Sequence, residues 1–150
     1  MIPRGAEGIN HLAERMAADL IPKAPDAYTM TDIGLTAALV RMVAQDYDRA
    51  ADILVTEMEA MRGIFEHVAP HLSDAAFKAQ IAAQLAPWTG GLRIAALAER
   101  HDAMMRLLIG MQAGAEDGEA AGVPWAGPLN ARIWTFLEGY VARRAYDAAL

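Results

Sequence analysis

The segment from Leu92 to Met111 carries the pattern that most constrains the fold of this chain. Six of its residues recur at alternating intervals of three and four, which places them on one stripe of an α-helix. They are Ile94, Leu97, His101, Met104, Leu108 and Met111. Five of the six are apolar, whereas Glu99, Asp102 and Arg106 fall on the opposite side. This pattern predicts a helix that packs along its length against other helices, with His101 as the one polar group within that packing.

Four other segments show helical periodicity, and none shows the alternation typical of a strand. The predicted helices cover residues 7–20, 30–68, 74–85, 92–112 and 128–147. Thr29–Asp32 has the pattern of a capping box, and Ser73 that of an N-cap. Periodicity is lost over residues 114–127, so this stretch is predicted to be a long loop. The sequence therefore predicts an all-α fold: a single-domain bundle of about five helices with a four-helix core and up-down packing.

The composition is more apolar than that of an average soluble domain. Hydrophobic residues make up 55% of the 150 residues, and the mean hydropathy is +0.15. Part of this apolar surface is therefore expected to be buried between subunits. The long second helix supplies a broad apolar sector for that contact, which includes Leu39, Val43 and Tyr47, and the last helix supplies another. We expect a homo-oligomer, of which a dimer is the favoured form.

The charge pattern and the missing residue types exclude several classes of function. The net charge is −6, and no basic stripe is present that could bind nucleic acid. Without cysteine, the chain has no disulfide, no thiolate nucleophile and no cysteine-bound zinc. No apolar run of about 18 residues occurs, so no membrane contact is predicted. The first residues lack the apolar segment of a signal peptide, and a cytoplasmic location is the expectation.

Motifs for metals and phosphates are also missing. Glu99 and His101 are two residues apart and point in different directions, unlike the Glu-x-x-His pairs of di-iron bundles. His67 and His71 have the spacing of one helix face, but Pro70 lies between them. No glycine-rich phosphate loop, Gly-x-Ser-x-Gly or His-Glu-x-x-His motif occurs. The sequence thus predicts no catalytic residue, no metal site and no cofactor.

Two acids, Asp46 and Glu57, fall within the apolar sector of the second helix. A carboxylate that faces a core is costly unless it is paired. The candidate partners of these two acids on other helices are His101, Arg144 and Arg100. One interpretation is a set of buried salt bridges that fix the register of the helices. The other is a polar pocket in the bundle, for which the candidate residues are Asp46, Glu57, His101, Arg144 and, on a lid, Trp125.

Two functions follow from these interpretations. The first is a non-enzymatic protein that self-associates and acts through protein interaction or regulation, as the apolar excess and the missing catalytic motifs indicate. The second is a small-molecule or metal pocket inside the bundle, with or without catalysis. The second hypothesis fails if His101 has neither acid within hydrogen-bonding distance and no cavity beside it.

Overall fold

The computed structural model describes residues 4–147, and within this range the chain is all-α. Five α-helices and no strand occur among these residues: α1 Gly5–Arg15, α2 Ala27–Val68, α3 Ala75–Leu85, α4 Ile94–Ala120 and α5 Ala126–Arg143. The predicted fold class is confirmed, whereas the four-helix core with up-down packing stays a prediction. Between residues 4 and 147, none of the helices combines the length and the apolar character that crossing a membrane requires.

The described residues form two compact units, and α2 contributes to both. The first unit consists of residues 4–50 and 146–147, so it holds α1 and the first half of α2. The second unit consists of residues 51–145 and holds the rest of α2 together with α3, α4 and α5. The two units differ in the kind of side chain that they bury.

A core of large apolar side chains fills the second unit. Its members are Met61, Ile64, Phe65 and Val68 from α2, Ile81 from α3, Met104, Leu108, Met111 and Ala115 from α4, and Leu129, Ile133 and Phe136 from α5. The stripe predicted for α4 is buried from Leu97 onward, and Ile94 at the start of the helix is partly exposed. Because each large apolar side chain contributes about 1.5–3 kcal/mol when buried, this core is a main source of stability.

The first unit buries only small side chains. Among residues 4–50 and 146–147, the buried residues are Ala13, Ala37 and Ala44. Alanine lets helices approach closely but removes little apolar surface from water. Gly5 also permits a close approach, because a Cβ there would lie 2.7 Å from Cε1 of Tyr47. The described part of this unit therefore has no core of large side chains.

Aspartate side chains cap the N-termini of α2 and α3. The sequence analysis predicted other residues as these caps. Asp26 accepts hydrogen bonds from the backbone N–H and the hydroxyl of Thr29, at 2.8 and 3.1 Å. Asp74 accepts from two backbone N–H groups in the first turn of α3, at 2.8 and 3.0 Å. The predicted capping box at Thr29–Asp32 and the predicted N-cap at Ser73 are therefore wrong. Each aspartate satisfies donors that a helix leaves free at its start, which fixes where the helix begins.

Helix α4 runs further than predicted, and residues 114–120 are helical rather than part of a loop. The prediction gave too much weight to the glycines, since the alanines and glutamates of this stretch favour helix. The helix ends in a Schellman motif, in which Gly122 N–H donates to the Glu119 carbonyl and Val123 N–H to the Gly118 carbonyl. Gly122 has a φ of 74°, which residues with side chains rarely adopt. The connection to α5 is therefore the short segment 121–125.

The remaining helix ends differ from prediction by a few residues. The first predicted helix, residues 7–20, is an α-helix over Gly5–Arg15 followed by a π-helical turn over Met16–Leu20. A 3-10 turn over Ile21–Lys23 contains the proline that ends it. Helix α5 covers Ala126–Arg143 instead of 128–147, so Arg144 lies at its C-cap.

Candidate functional site

Glu57 is the buried acid of the second unit, and its side chain is 0% exposed. Its carboxylate accepts four hydrogen bonds, one each from His101 and Arg143 and two from Arg144. A carboxylate offers about four acceptor positions, so Glu57 is fully satisfied. We call these four residues the glutamate cluster.

Arg144 binds Glu57 through two parallel hydrogen bonds. Its Nη1 donates to Oε1 and its Nη2 donates to Oε2, the second at 2.9 Å. The same guanidinium lies over the ring of Tyr140, 3.6 Å from the ring centre. Arg143, the last residue of α5, donates from Nε to Oε1 of Glu57 at 3.3 Å. Both arginines stand at the C-terminal end of α5, where the helix dipole favours positive charge.

His101 completes the cluster from α4. Its Nε2 donates to Oε2 of Glu57 at 2.8 Å, since an ionised carboxylate can only accept. Its Nδ1 lies 3.6 Å from Oδ1 of Asp102, which is too far for a hydrogen bond. His101 therefore contacts one of the two predicted acids. The structure brings together three predicted residues and adds Arg143, which the sequence analysis missed.

The electrostatics of the cluster favour a static ion pair. Burial raises the pKa of Glu57, but the hydrogen bonds and charge of Arg144, with hydrogen bonds from Arg143 and His101, outweigh burial. The pKa of Glu57 therefore lies below its ordinary value of 4.5. A carboxylate that acts as a general base near neutral pH needs a raised pKa instead. The lowered pKa of Glu57 supports the interpretation in which the cluster fixes the placement of α4 and α5 on the second half of α2.

Asp46 lies outside the glutamate cluster, contrary to the predicted grouping. It is exposed and belongs to the first unit, where its Oδ2 accepts a hydrogen bond from the Tyr146 hydroxyl at 2.8 Å. This hydrogen bond raises the pKa of Tyr146. Oδ1 of Asp46 lies 3.6 Å from Nη2 of Arg49. The prediction failed because the apolar sector that contains Asp46 is exposed in this part of α2.

Trp125 and Arg100 also take other partners than those predicted. Trp125 stacks on His71 with the ring centres 5.8 Å apart and packs against the core of the second unit, so it is not a lid over Glu57. Arg100 donates from Nη2 to the carbonyl oxygens of Gln84 and Ala86, at 2.7 and 2.9 Å. These carbonyls lie at the end of α3, where a helix leaves acceptors free.

The described part of the chain offers no evident metal site. No group of three or more histidine, aspartate or glutamate side chains within residues 4–147 is arranged to hold a metal ion. At the glutamate cluster, the two arginines would also repel a cation.

The first half of α2 presents an apolar surface to solvent, which we call the α2 face. At 3.6 residues per turn, its members share a sector of about 120°, with Ala37 and Ala44 on the other side of the helix. The sequence analysis predicted that this sector forms a contact between subunits, and among residues 4–147 it is exposed. The members are Tyr28, Leu35, Leu39, Val43 and Tyr47, all of them more than half exposed.

Comparisons of this chain with protein-family models, with curated proteins and with solved structures find no match. Function is therefore inferred from the geometry of the chain itself.

Proposed function

We propose that the protein is a self-associating helical interaction module, in which the α2 face packs against the same face of a second copy. A contact of one surface with itself gives a closed, two-fold symmetric dimer. The observation that carries the proposal is the contrast between the buried alanines of the first unit and the large apolar side chains that it exposes.

The first unit needs a further surface to stabilise it. Most helix stability in proteins comes from packing of an apolar face, because helix propensity alone is marginal. The described residues of this unit bury three alanines, while Leu35, Leu39 and Val43 stay in water. Burying a leucine or valine side chain contributes about 1.5–3 kcal/mol, so covering these residues supplies what the unit lacks.

The size of the α2 face suits a dimer contact. Five large side chains at more than half exposure amount to on the order of 600 Å², which is as large as the largest apolar patch of a typical monomer. A standard interface buries about 800 Å² on each partner, so the face with its polar rim is of the right size.

The spacing of the apolar residues on the α2 face favours packing against another helix whose apolar residues have the same spacing. Leu35, Leu39, Val43 and Tyr47 follow one another at intervals of four and form a ridge along α2. Ridges of this spacing pack into the grooves between the same ridges on another helix, in the packing class that is commonest in globular proteins. A second copy of the chain offers such a ridge by definition.

Sedimentation equilibrium of the full chain tests the proposal. The wild type should associate at micromolar concentration, and Leu39→Glu should be monomeric, because a charge in the centre of the face would be buried without a partner. Ile109→Glu on α4 is the matched control, since Ile109 is 64% exposed and Leu39 is 61% exposed. This control should associate like the wild type.

Three outcomes would overturn the proposal. They are a wild type that stays monomeric up to high micromolar concentration, a Leu39→Glu variant that associates normally, and an Ile109→Glu variant that alone becomes monomeric. Circular dichroism of each variant checks that the helices are intact.

A further inference from the structure

The second unit contains an open groove between the second half of α2 and α5, independent of the α2 face. Its volume is about 510 Å³. Gly63 and Ile64 line it from α2, while Arg132, Phe136 and Arg143 line it from α5. Ligand sites for small molecules have volumes of roughly 300–1,000 Å³ and combine apolar walls with a few polar groups, and this groove has both properties.

Arg143 lines the groove with hydrogen-bonding capacity that the cluster does not use. Only its Nε bonds to Glu57, at 3.3 Å. Its Nη2 is buried and has no hydrogen-bond partner among residues 4–147. Glu57 cannot serve this donor, because His101, Arg144 and the Nε of Arg143 already use its acceptor positions. Because Nη2 is buried in this conformation, a ligand in the groove does not reach it, and Arg143 contributes its positive charge to the groove rather than a hydrogen bond.

Arg132 adds a second cation to the same groove. It is exposed, and in the part of the chain that the structure describes it forms no ion pair or hydrogen bond. The guanidinium of Arg143 lies 5.9 Å from the ring centre of Phe136, so the positive charge stands beside an apolar surface. Two arginines and an apolar floor match an acid that carries an apolar body.

We propose that this groove binds a small organic anion, namely a carboxylate attached to an aromatic or branched aliphatic body. The carboxylate accepts hydrogen bonds from Arg132, because the planar guanidinium matches the planar carboxylate, and the positive charge of Arg143 adds to the attraction along the groove. The apolar body lies against Ile64 and Phe136.

Isothermal titration of the full chain with benzoate tests the inference, with benzyl alcohol and inorganic phosphate as comparison probes at constant ionic strength. Benzoate should bind saturably at one site, and the other two probes should bind at least about tenfold more weakly, since a charge-assisted hydrogen bond is lost or the apolar body is missing. Arg132→Gln should weaken benzoate binding by about ten- to a hundredfold.

Gly63→Leu should abolish benzoate binding, because the new side chain occupies the groove. A Cβ at Gly63 would meet no heavy atom within 4 Å, so the substitution is compatible with the fold. Gly34→Leu is the matched control: Gly34 is also in α2 and also has open space around its Cβ position, but it does not line the groove. This control should bind benzoate like the wild type.

The inference is wrong if benzoate gives no saturable binding, if benzyl alcohol or phosphate binds as tightly, or if Gly63→Leu binds benzoate unchanged. These readouts do not depend on association of the chain, so failure here leaves the proposed dimer contact standing.

Discussion

Glu57 and Arg144 are 87 positions apart in the sequence and face each other through two parallel hydrogen bonds between carboxylate and guanidinium. This contact holds the end of α5 on the second half of α2. A buried ion pair adds little stability compared with a well-packed apolar pair, but removal of one partner leaves the other charge without compensation. We therefore expect the cluster to act on the specificity of helix placement more than on total stability.

Replacement of Glu57 should destabilise the fold strongly. Glu57→Gln keeps the shape of the side chain but leaves Arg143 and Arg144 without their counter-charge. Because both arginines keep partial access to water, we expect a loss of about 2–4 kcal/mol in the free energy of unfolding. Urea denaturation measures this loss. Glu59→Gln, an exposed change two residues away, should shift the same quantity by less than about 0.5 kcal/mol, and equal effects of the two substitutions would refute the role given to Glu57.

The contribution of Glu57 should depend on pH in a defined direction. Burial raises the pKa of Glu57, but Arg144 and the other cluster donors lower it further, to below 4.5. As the pH falls, the unfolded chain therefore binds this proton before the folded chain does. The contribution is fully present above about pH 4.5 and is lost as the pH falls through the folded-state pKa.

The difference in unfolding free energy between the wild type and Glu57→Gln should therefore be constant near neutral pH and should shrink below about pH 4.5. Denaturation at a series of pH values measures it. A difference that grows on acidification would show that the folded-state pKa is raised, which the geometry of the cluster does not allow.

Two glycine substitutions test the course of α4. Gly114 lies within the helix, and a Cβ there would meet no heavy atom within 4 Å, so Gly114→Ala should stabilise the protein by about 0.5–1 kcal/mol. Gly122 has a φ of 74°, so Gly122→Ala should destabilise it by about 1–2 kcal/mol. Thermal unfolding of both variants measures the two changes. No stabilisation by Gly114→Ala would indicate that residues 114–120 form the loop that the sequence predicted.

The sequence predicted those features that depend on one helix at a time. The stripe of α4 is buried with His101 in it, because helical spacing alone decides which side chains share a face. Glu57 stood out because an acid within an apolar sector needs a partner. Arg143 was overlooked, although it follows Phe136 by seven residues and therefore lies at the edge of the apolar face of α5.

The burial of a residue depends on which other helices cover it, and the spacing of residues along one helix does not predict that. Asp46 and Glu57 occupy the same apolar sector of α2, yet Glu57 is buried and Asp46 is exposed. Spacing along one helix does not show which part of it is covered by others. The sequence also predicted the apolar sector around Leu39 as a contact between subunits, and its exposure in the described part of the chain leaves it available for such a contact.

The most direct measurement of the proposed contact is the reactivity of a thiol placed at position 39. The chain contains no cysteine, so Leu39→Cys and the control Ile109→Cys each carry a single reactive group. If the α2 face packs against a second copy, the rate of alkylation of Leu39→Cys should fall as the protein concentration rises, while the rate for Ile109→Cys stays constant. A rate at position 39 that is independent of concentration, in a range where the chain is shown to associate, would contradict the account.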